Sequence, residues 1–340
     1  MCTAMRISAA DKSVVVGRTM EFPILMDAQL TVIPRGIELS SEAPNGETGV
    51  SWTTKYGTVG VDAFSDKLPG GNFSYTDGMN EKGLYIGLLY QPGFCVWSAT
   101  EGKPSSELLT PLHVISYLLT TCENVEEAKV ALSAVTVWNF QPPVPVKITG
   151  HFGIYDASGA CVVAEWDNGT LKLFDNPIGV LTNSPTFDWH LINLRNYINL
   201  TPNPEAEVSI AGVTLAPLGI GSGMRGLPGD PTPPARFVRA AALVATAKQQ
   251  PDGASAENMM LHLINNFDLV DGIAVASIDP PGEDQTLWST ISNLTDHTFS
   301  LRTATDVTFR TIELASLDFT GSDILSYDLP SPATFPKWTL

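Results

Sequence analysis

The chain has 340 residues, 44% of them hydrophobic, which is enough to bury a sizeable core. It carries 19 basic and 36 acidic residues, and this formal net charge of −17 argues against nucleic acids or anionic membranes as partners, because phosphate binding needs clustered Lys and Arg. No apolar run is long enough for a membrane span and charges interrupt the first 20 positions, where a signal peptide would be apolar, so we expect a cytoplasmic protein.

Strand-like segments dominate the first ninety residues. They are rich in Val, Ile and Tyr and are separated by Pro, Gly and Asn, as strands in a sheet commonly are. The predicted strands are KSVVVGR (12–18), QLTVIPRG (29–36), YGTVGVDAF (56–64) and GLYIGLLY (83–90).

Helices and strands then alternate in blocks. Helical spacing of apolar residues predicts helices over 106–122, 124–135, 187–198, 233–250 and 255–267. Between and after them, the strand pattern predicts a hairpin turning at 156–159 and strands at 169–174, 178–183, 286–294, 297–305 and 306–314. Such blocks favour antiparallel sheets with helices on their faces, an α+β fold, and the absence of a linker predicts one domain over 1–340.

The sequence indicates no cofactor and no metal. The motif GSGMRG (221–226) matches a dinucleotide-binding pattern, but the prolines that follow it prevent the helix that such a site requires. The five histidines show no metal-ligand spacing, and we expect them to be packing or surface residues. The four cysteines form no C-x-x-C pair, so neither a zinc site nor a disulfide framework is predicted.

Cys2 lies directly after the initiator methionine. If Met1 is retained, a cysteine there is a chance residue in a frayed terminus. If Met1 is removed, Cys2 carries both a thiol and an α-amino group, whose usual pKa of about 8 lets it take the proton of its own side chain. One residue then supplies the nucleophile and the base.

The following residues favour the second interpretation. From Cys2 the chain runs to a turn at Asp11-Lys12 and returns as SVVVGR, a hairpin that brings Arg18 and Glu21 back beside the terminus. A cation beside a thiol favours the thiolate, and a carboxylate can anchor a terminal ammonium. The alternative is that both residues are exposed charges at a strand end.

A series of motifs in the chain resembles the choloylglycine hydrolase family, which includes penicillin V acylases and conjugated bile-salt hydrolases. The similarity covers roughly residues 2–240 and rests on Cys2 together with GRTMEF (17–22), DGMNEKGLYIGLLY (77–90), GVLTNSPTFDWH (179–190), NLRNYINLTPNP (193–204) and GLPGDPTPPARFVR (226–239). The resemblance implies an N-terminal nucleophile hydrolase with an αββα four-layer sandwich.

The resemblance also implies roles for six residues. Cys2 would attack an amide carbonyl after loss of Met1, with Arg18 against its thiol. Glu21 stands where the family usually has an aspartate that holds the α-amino group. Two groups would donate hydrogen bonds to the oxyanion, the side-chain amide of Asn183 and the backbone N–H of Tyr90. Removing one such donor typically lowers kcat by about a hundred- to a thousandfold. Arg236 would support charge in the site.

Substrate and assembly follow from the same resemblance. The penicillin V acylases of the family resemble this chain in having tyrosine at the position of Tyr90, so we expect a penicillin V acylase. The alternatives are a bile-salt hydrolase, an N-acyl homoserine lactone acylase and a non-enzymatic binding protein. The segment 191–225, through which family members assemble, predicts a homotetramer. The apolar residues Met20, Phe22, Leu25 and Phe64 are candidates for a pocket that binds the acyl group or the steroid of a small-molecule amide, with a place in the core as the alternative for each of them.

Overall fold

The structure is a computed structural model that describes residues 1–24, 26–63, 74–141, 147–276 and 282–331. Its longer strands are β1 (Cys2–Ser8), β2 (Val14–Phe22), β3 (Gln29–Ile33), β4 (Glu38–Glu42), β5 (Thr48–Thr53), β6 (Thr58–Asp62), β7 (Tyr75–Asn80), β8 (Tyr85–Tyr90), β11 (Gly150–Tyr155), β12 (Cys161–Asp167), β13 (Thr170–Asp175), β19 (Gln285–Asn293), β20 (Thr298–Thr303), β21 (Arg310–Glu313) and β22 (Leu325–Asp328). The short strands are β9 (Leu108–Leu109), β10 (Thr136–Val137), β14 (Val180–Leu181), β15 (Val208–Ile210), β16 (Val213–Leu215), β17 (Val275–Ala276) and β18 (Gly282–Glu283). The helices are α1 (Val114–Thr121), α2 (Val125–Ser133), α3 (Phe187–Asn193), α4 (Pro233–Thr246) and α5 (Gly253–Ile264).

Two antiparallel sheets form the centre of the described part of the chain. The first has the strand order β14-β1-β2-β19-β20-β21, and the second has the order β13-β12-β11-β8-β7-β6-β3-β22. Helices α4 and α5 contact β1, β2, β14 and β19 of the first sheet, helices α1 and α2 contact β7, β8 and β11 of the second, and β1 contacts β8 between the sheets. The predicted αββα arrangement is therefore confirmed.

The N-terminal hairpin fixes the position of the first residues. Strands β1 and β2 pair from Cys2 opposite Met20 to Ser8 opposite Val14, with the turn at the predicted place and Lys12 at φ 76°. Alternate side chains of a strand point to opposite faces of a sheet. Gly17 faces α5, because a Cβ there would lie 2.5 Å from Met260 Sδ. Residues 17, 19 and 21 therefore face the helices, and residues 16, 18 and 20 face the second sheet.

Two predicted elements differ from the observed ones for identifiable reasons. The helix predicted over 106–122 begins only at Val114, because Pro111 has no N–H to continue a helix and residues 108–109 pair with β10 instead. The helix predicted over 187–198 is α-helical only to Asn193 and continues as a 3₁₀ turn. The N-cap of α2 is Asn124, whose Oδ1 accepts from Glu127 N at 3.0 Å.

Three further findings concern the described residues only. None of their helices is long and apolar enough to cross a membrane, and the longest, α4, has 14 residues. The described residues contain no group of three or more His, Cys, Asp or Glu side chains that could hold a metal ion. All four cysteines are free and buried.

Candidate active site

Cys2 begins strand β1 with its thiol in the space between the two sheets. Met1 and Glu21 exchange backbone hydrogen bonds of 2.7 and 2.8 Å, so the next pair, Cys2 opposite Met20, is a non-hydrogen-bonded pair in which side chains approach closely. Cys2 Sγ lies 3.6 Å from Met20 Sδ and 3.7 Å from Arg18 Nη2. The thiol thus has a guanidinium as its charged neighbour.

Arg18 is held against the thiol by a carboxylate of the second sheet. Its Nη1 donates to Asp77 Oδ1 at 2.6 Å, its Nη2 donates to the Leu88 carbonyl at 2.8 Å, and the side chains of Arg18 and Asp77 are fully buried. Burial alone lowers the pKa of Arg18, but the interactions with the acidic groups around it, Asp77 first among them, together more than reverse this, so the net shift is upward. Arg18 is therefore a permanent cation with a fixed position.

Asp77 is a site residue that the sequence interpretation missed. Its Oδ1 also lies 3.3 Å from Trp288 Nε1, and its Oδ2 accepts from Thr290 Oγ1 at 2.8 Å and from the Tyr85 hydroxyl at 3.2 Å. The sequence does contain a signal for this role, an aspartate inside an apolar strand block. Such an aspartate is almost never fully buried without a cationic partner. The sequence alone does not show that this partner is Arg18.

Asn183 lies between the N terminus and strand β8. Its Oδ1 accepts from Cys2 N at 2.8 Å, and its Nδ2 donates to the Tyr90 carbonyl at 2.7 Å. Gln91 N bonds the Thr149 carbonyl, so the alternation of an antiparallel ladder directs the N–H and C=O of Tyr90 away from β11, toward Asn183. The amide of Asn183 and the backbone of Tyr90 are thus adjacent, and their role as oxyanion donors stays a prediction.

Two buried histidines hold the backbone that carries Asn183. His190 donates from Nε2 to the Asn183 carbonyl at 2.9 Å, and burial lowers the pKa of His190 to about 4, so this imidazole is neutral at pH 7. His151 donates from Nε2 to the Thr182 carbonyl at 3.0 Å, while its Nδ1 lies 2.7 Å from Glu165 Oε1. Both histidines are packing residues, as expected, but they pack against the site.

Arg236, from helix α4, approaches the terminus on the other face of the sheet. Its Nη2 donates to Asn183 Oδ1 at 2.6 Å, and its Nη1 donates to Thr3 Oγ1 at 2.7 Å and to the Cys2 carbonyl. The side chain is fully buried, and burial lowers its pKa. Arg236 reaches the site, as predicted, but it supports the backbone and Asn183 rather than the thiol.

Glu21 lies on this helix-facing side as well, which separates it from Arg18. The two residues differ by an odd number of positions, so their side chains point to opposite faces of β2. Glu21 is fully buried, its Oε1 accepts from Thr286 Oγ1 at 3.0 Å, and burial raises its pKa to about 7 against the opposing effect of Arg236.

The terminal ammonium of Met1 contacts the backbone carbonyl of Glu21 and the carboxylate of Asp284, at 2.7 and 3.0 Å. That Glu21 anchors the α-amino group of Cys2 stays a prediction.

Two cavities lie at the site and share two lining residues. The first, of about 40 Å³, is lined by Cys2 and by two of the predicted pocket residues, Met20 and Phe22. The second, of about 450 Å³, is lined by Met1 and shares the side chains of Phe22 and Tyr90 with the first. The two other predicted pocket residues, Leu25 and Phe64, lie outside the described residues.

Comparisons with known proteins show which family the chain resembles in sequence and in fold. The model of the family "Linear amide C-N hydrolases, choloylglycine hydrolase family" matches residues 2–334. A bile salt hydrolase/transferase from Clostridium perfringens is 36% identical over 279 residues, which are 80% of each chain. The solved structure of a mutant conjugated bile acid hydrolase from the same organism matches with a TM-score of 0.86 at 28% identity and 100% coverage of both chains. A penicillin V acylase from Pectobacterium atrosepticum is 29% identical over 183 residues, 52% of this chain and 47% of that protein.

Proposed function

Because the chain belongs to the choloylglycine hydrolase family of linear amide C–N hydrolases, we propose that it cleaves the amide bond of a conjugated bile salt with Cys2 as nucleophile. One observation supports the mechanism above all others. The Cys2 thiol lies 3.7 Å from a permanently charged guanidinium, and the backbone nitrogen of the same residue lies 2.8 Å from the side-chain amide oxygen of Asn183. Family membership makes the chain an enzyme, so the non-enzymatic alternative is set aside.

The proposed reaction begins after Met1 is removed. The α-amino group of Cys2 takes the thiol proton, and the thiolate sulfur forms a bond to the amide carbonyl carbon. The carbonyl oxygen becomes an oxyanion, for which Asn183 Nδ2 and the Tyr90 N–H are the proposed donors. The α-ammonium then protonates the leaving nitrogen as the C–N bond breaks. Water attacks the resulting thioester, the C–S bond breaks, and the free acid leaves with the thiol restored.

Bile salts replace penicillin V as the proposed substrate class. The preference for penicillin V rested on Tyr90, one residue that lines both cavities. The bile salt hydrolase/transferase is 36% identical over 80% of each chain, whereas the penicillin V acylase is 29% identical over about half of each. Similarity spread over a whole chain is a broader basis for a substrate assignment than one aromatic side chain. Penicillin V remains the second candidate because of Tyr90.

The test compares substrates on protein whose loss of Met1 has been verified by intact mass. Initial rates of amide cleavage are measured under reducing conditions for glycocholate, penicillin V and an N-acyl homoserine lactone. We expect glycocholate to be cleaved faster than the other two. Faster cleavage of penicillin V would return the assignment to the acylase, and faster cleavage of the lactone would reject both.

The nucleophile is tested separately. We expect Cys2→Ala to lower kcat by more than about a thousandfold, since removal of a catalytic nucleophile leaves only binding and oxyanion stabilisation. Cys161→Ala, which removes another buried thiol, is the matched control and should keep most of the activity. Turnover by Cys2→Ala at more than a few per cent of the wild-type rate would contradict the mechanism.

We also propose that the protein assembles as a homotetramer through the segment 191–225. Its β15–β16 hairpin exposes four apolar side chains, and Leu218 and Ile220 beyond it are fully exposed, which is unusual for a monomer surface. We expect light scattering after gel filtration to give four times the mass of the chain. The double variant Leu218→Asp/Ile220→Asp should dissociate, whereas the control Val130→Asp, on α2, should not; a monomeric wild type would reject the proposal.

A further inference from the structure

We propose that Glu165 is a positioning residue of the site, which holds the two proposed oxyanion donors, Asn183 and Tyr90, in their relative positions. This inference rests on the proposed cleavage of an amide at Cys2 and adds a residue that acts through its neighbours. Glu165 lies in β12 and is only 3% exposed. A carboxylate buried to this extent needs partners, and its partners belong to the segments that carry the two donors.

The Glu165 carboxylate contacts both of these segments directly. Its Oε1 accepts from Gln91 Nε2 at 2.9 Å, and Gln91 follows Tyr90 in the chain. Its Oε1 and Oε2 also lie 3.0 and 3.2 Å from Phe187 N, at the start of the helix that follows Asn183. One buried carboxylate thus joins the end of β8 to the loop that carries the other donor.

His151 extends this contact to the residue before Asn183. The ring is fully buried, its Nδ1 lies 2.7 Å from Glu165 Oε1, and its Nε2 donates to the Thr182 carbonyl at 3.0 Å. A carbonyl oxygen only accepts, so Nε2 carries a proton. Glu165 Oε1 already accepts from two other N–H groups, so the proton of the third contact belongs to Nδ1. The geometry is therefore that of an imidazolium paired with a carboxylate.

Replacing Glu165 by glutamine removes the charge and keeps the shape of the side chain. The new carbonyl oxygen can still accept from the two backbone and side-chain amide donors. A buried imidazolium without its counter-charge is unfavourable, and a neutral His151 has a single ring proton. It can then donate to residue 165 or to the Thr182 carbonyl, but not to both. The loop at Asn183 loses an anchor, and a shift of about 1 Å in a catalytic group can lower the rate about a hundredfold.

The experiment is a double-mutant cycle on protein whose Met1 has been removed. We measure kcat and KM for glycocholate in the wild type, Glu165→Gln, Asn183→Ala and the combination of both substitutions. We expect Glu165→Gln alone to lower kcat about tenfold to a hundredfold and to change KM less than about threefold. In the Asn183→Ala background the same substitution should lower kcat less than about threefold, because the group that it positions is absent.

A matched control and a second variant complete the design. Glu257→Gln removes the charge of a carboxylate outside the site, which accepts from Asn293 Nδ2 and Thr298 Oγ1, and kcat should change less than about twofold. Gln91→Met breaks the link on the Tyr90 side. The buried Oε1 of Gln91 has no hydrogen-bond partner among the described residues, so this change removes an unsatisfied acceptor and the protein should fold. We expect kcat to fall about three- to tenfold at nearly constant KM.

The outcomes separate this inference from the proposed function. Equal losses of kcat from Glu165→Gln in both backgrounds would mean that Glu165 supports the fold as a whole, which overturns the inference and leaves the proposed function standing. A normal kcat in Glu165→Gln, or in Gln91→Met if the first variant does not fold, overturns the inference as well. A wild type that cleaves penicillin V but not glycocholate overturns the bile-salt function, and the cycle measured with penicillin V then decides the inference. Cleavage of neither substrate overturns both.

Discussion

The two faces of strand β2 carry different kinds of charge. On the face toward the second sheet, Arg18 and Asp77 form a buried pair 2.6 Å apart that holds the guanidinium beside the Cys2 thiol. On the face toward the helices, Glu21 is buried with no cation of the described residues within hydrogen-bonding distance, and burial raises its pKa to about 7. The first face is a fixed electrostatic frame, whereas the second contains a group that titrates near neutral pH.

This difference shows how one strand can serve two purposes. Charges on the thiol side must stay constant, because the position of the nucleophile depends on them. A titratable carboxylate on the opposite side can change its charge without altering the Arg18–Asp77 pair. Asn183 connects the sides, since its Oδ1 accepts from Arg236 on the helix side while its Nδ2 is directed at Tyr90.

The largest expected effect comes from breaking the fixed frame. Asp77→Ala leaves the Arg18 guanidinium buried without its carboxylate, and such a loss costs about 3–5 kcal/mol of stability. Urea unfolding measures the change. The double variant Arg18→Met/Asp77→Leu removes both charges and should be more stable than Asp77→Ala, although inactive. A double variant that is less stable than the single one would show that the pair is not the source of the effect.

The next effect concerns the residue that connects the two faces. Asn183→Ala should lower kcat about a hundred- to a thousandfold, because one proposed oxyanion donor is lost. KM should change much less than kcat, since the donor acts mainly in the transition state. Asn199→Ala, at an exposed position in the following segment, is the matched control. A variant with raised KM and normal kcat would assign Asn183 to substrate binding instead.

The smallest expected effect is a change in pH dependence from the helix-facing side. In the unfolded chain Glu21 ionises near its ordinary pKa of 4.5, but in the folded protein burial raises its pKa to about 7. Between these values the folded state keeps a proton that the unfolded state releases. The stability that Glu21 contributes is thus complete below about pH 4.5 and is lost as the pH rises to about 7.

Glu21→Gln should remove this contribution to the pH dependence. We expect the difference in Tm between the wild type and Glu21→Gln to change steadily from pH 4.5 to pH 7.5, with the variant gaining relative stability as the pH rises. Glu313→Gln, at an exposed position of β21, should show a constant difference. If the Glu21→Gln curve runs parallel to the wild-type curve, Glu21 is ionised throughout this range.

Much of the site's local geometry follows from the sequence. The turn at Asp11-Lys12 and the lengths of the two strands set the register that brings Cys2 opposite Met20. The period of two in a strand then predicts that Arg18 and Glu21 point to opposite faces. Our expectation that both lie beside the terminus neglected this alternation: the Arg18 side chain lies against the thiol, whereas the Glu21 side chain lies on the helix-facing side of β2. The N-cap at Asn124 was equally accessible, because caps depend on neighbouring residues.

The sequence by itself therefore determined the N-terminal hairpin, the strand and helix blocks and, through its motifs, the family. Only the tertiary structure decided which residues meet the hairpin. Asp77, from the second sheet, reaches Arg18 across 59 residues of chain. Arg236, from helix α4, and Asp284, between β18 and β19, reach the terminus across 234 and 283 residues. Turn chemistry and strand alternation depend on a few neighbouring residues, so both can be predicted directly from the sequence. Contacts between sheets and helices depend on how whole layers pack, which no local pattern specifies.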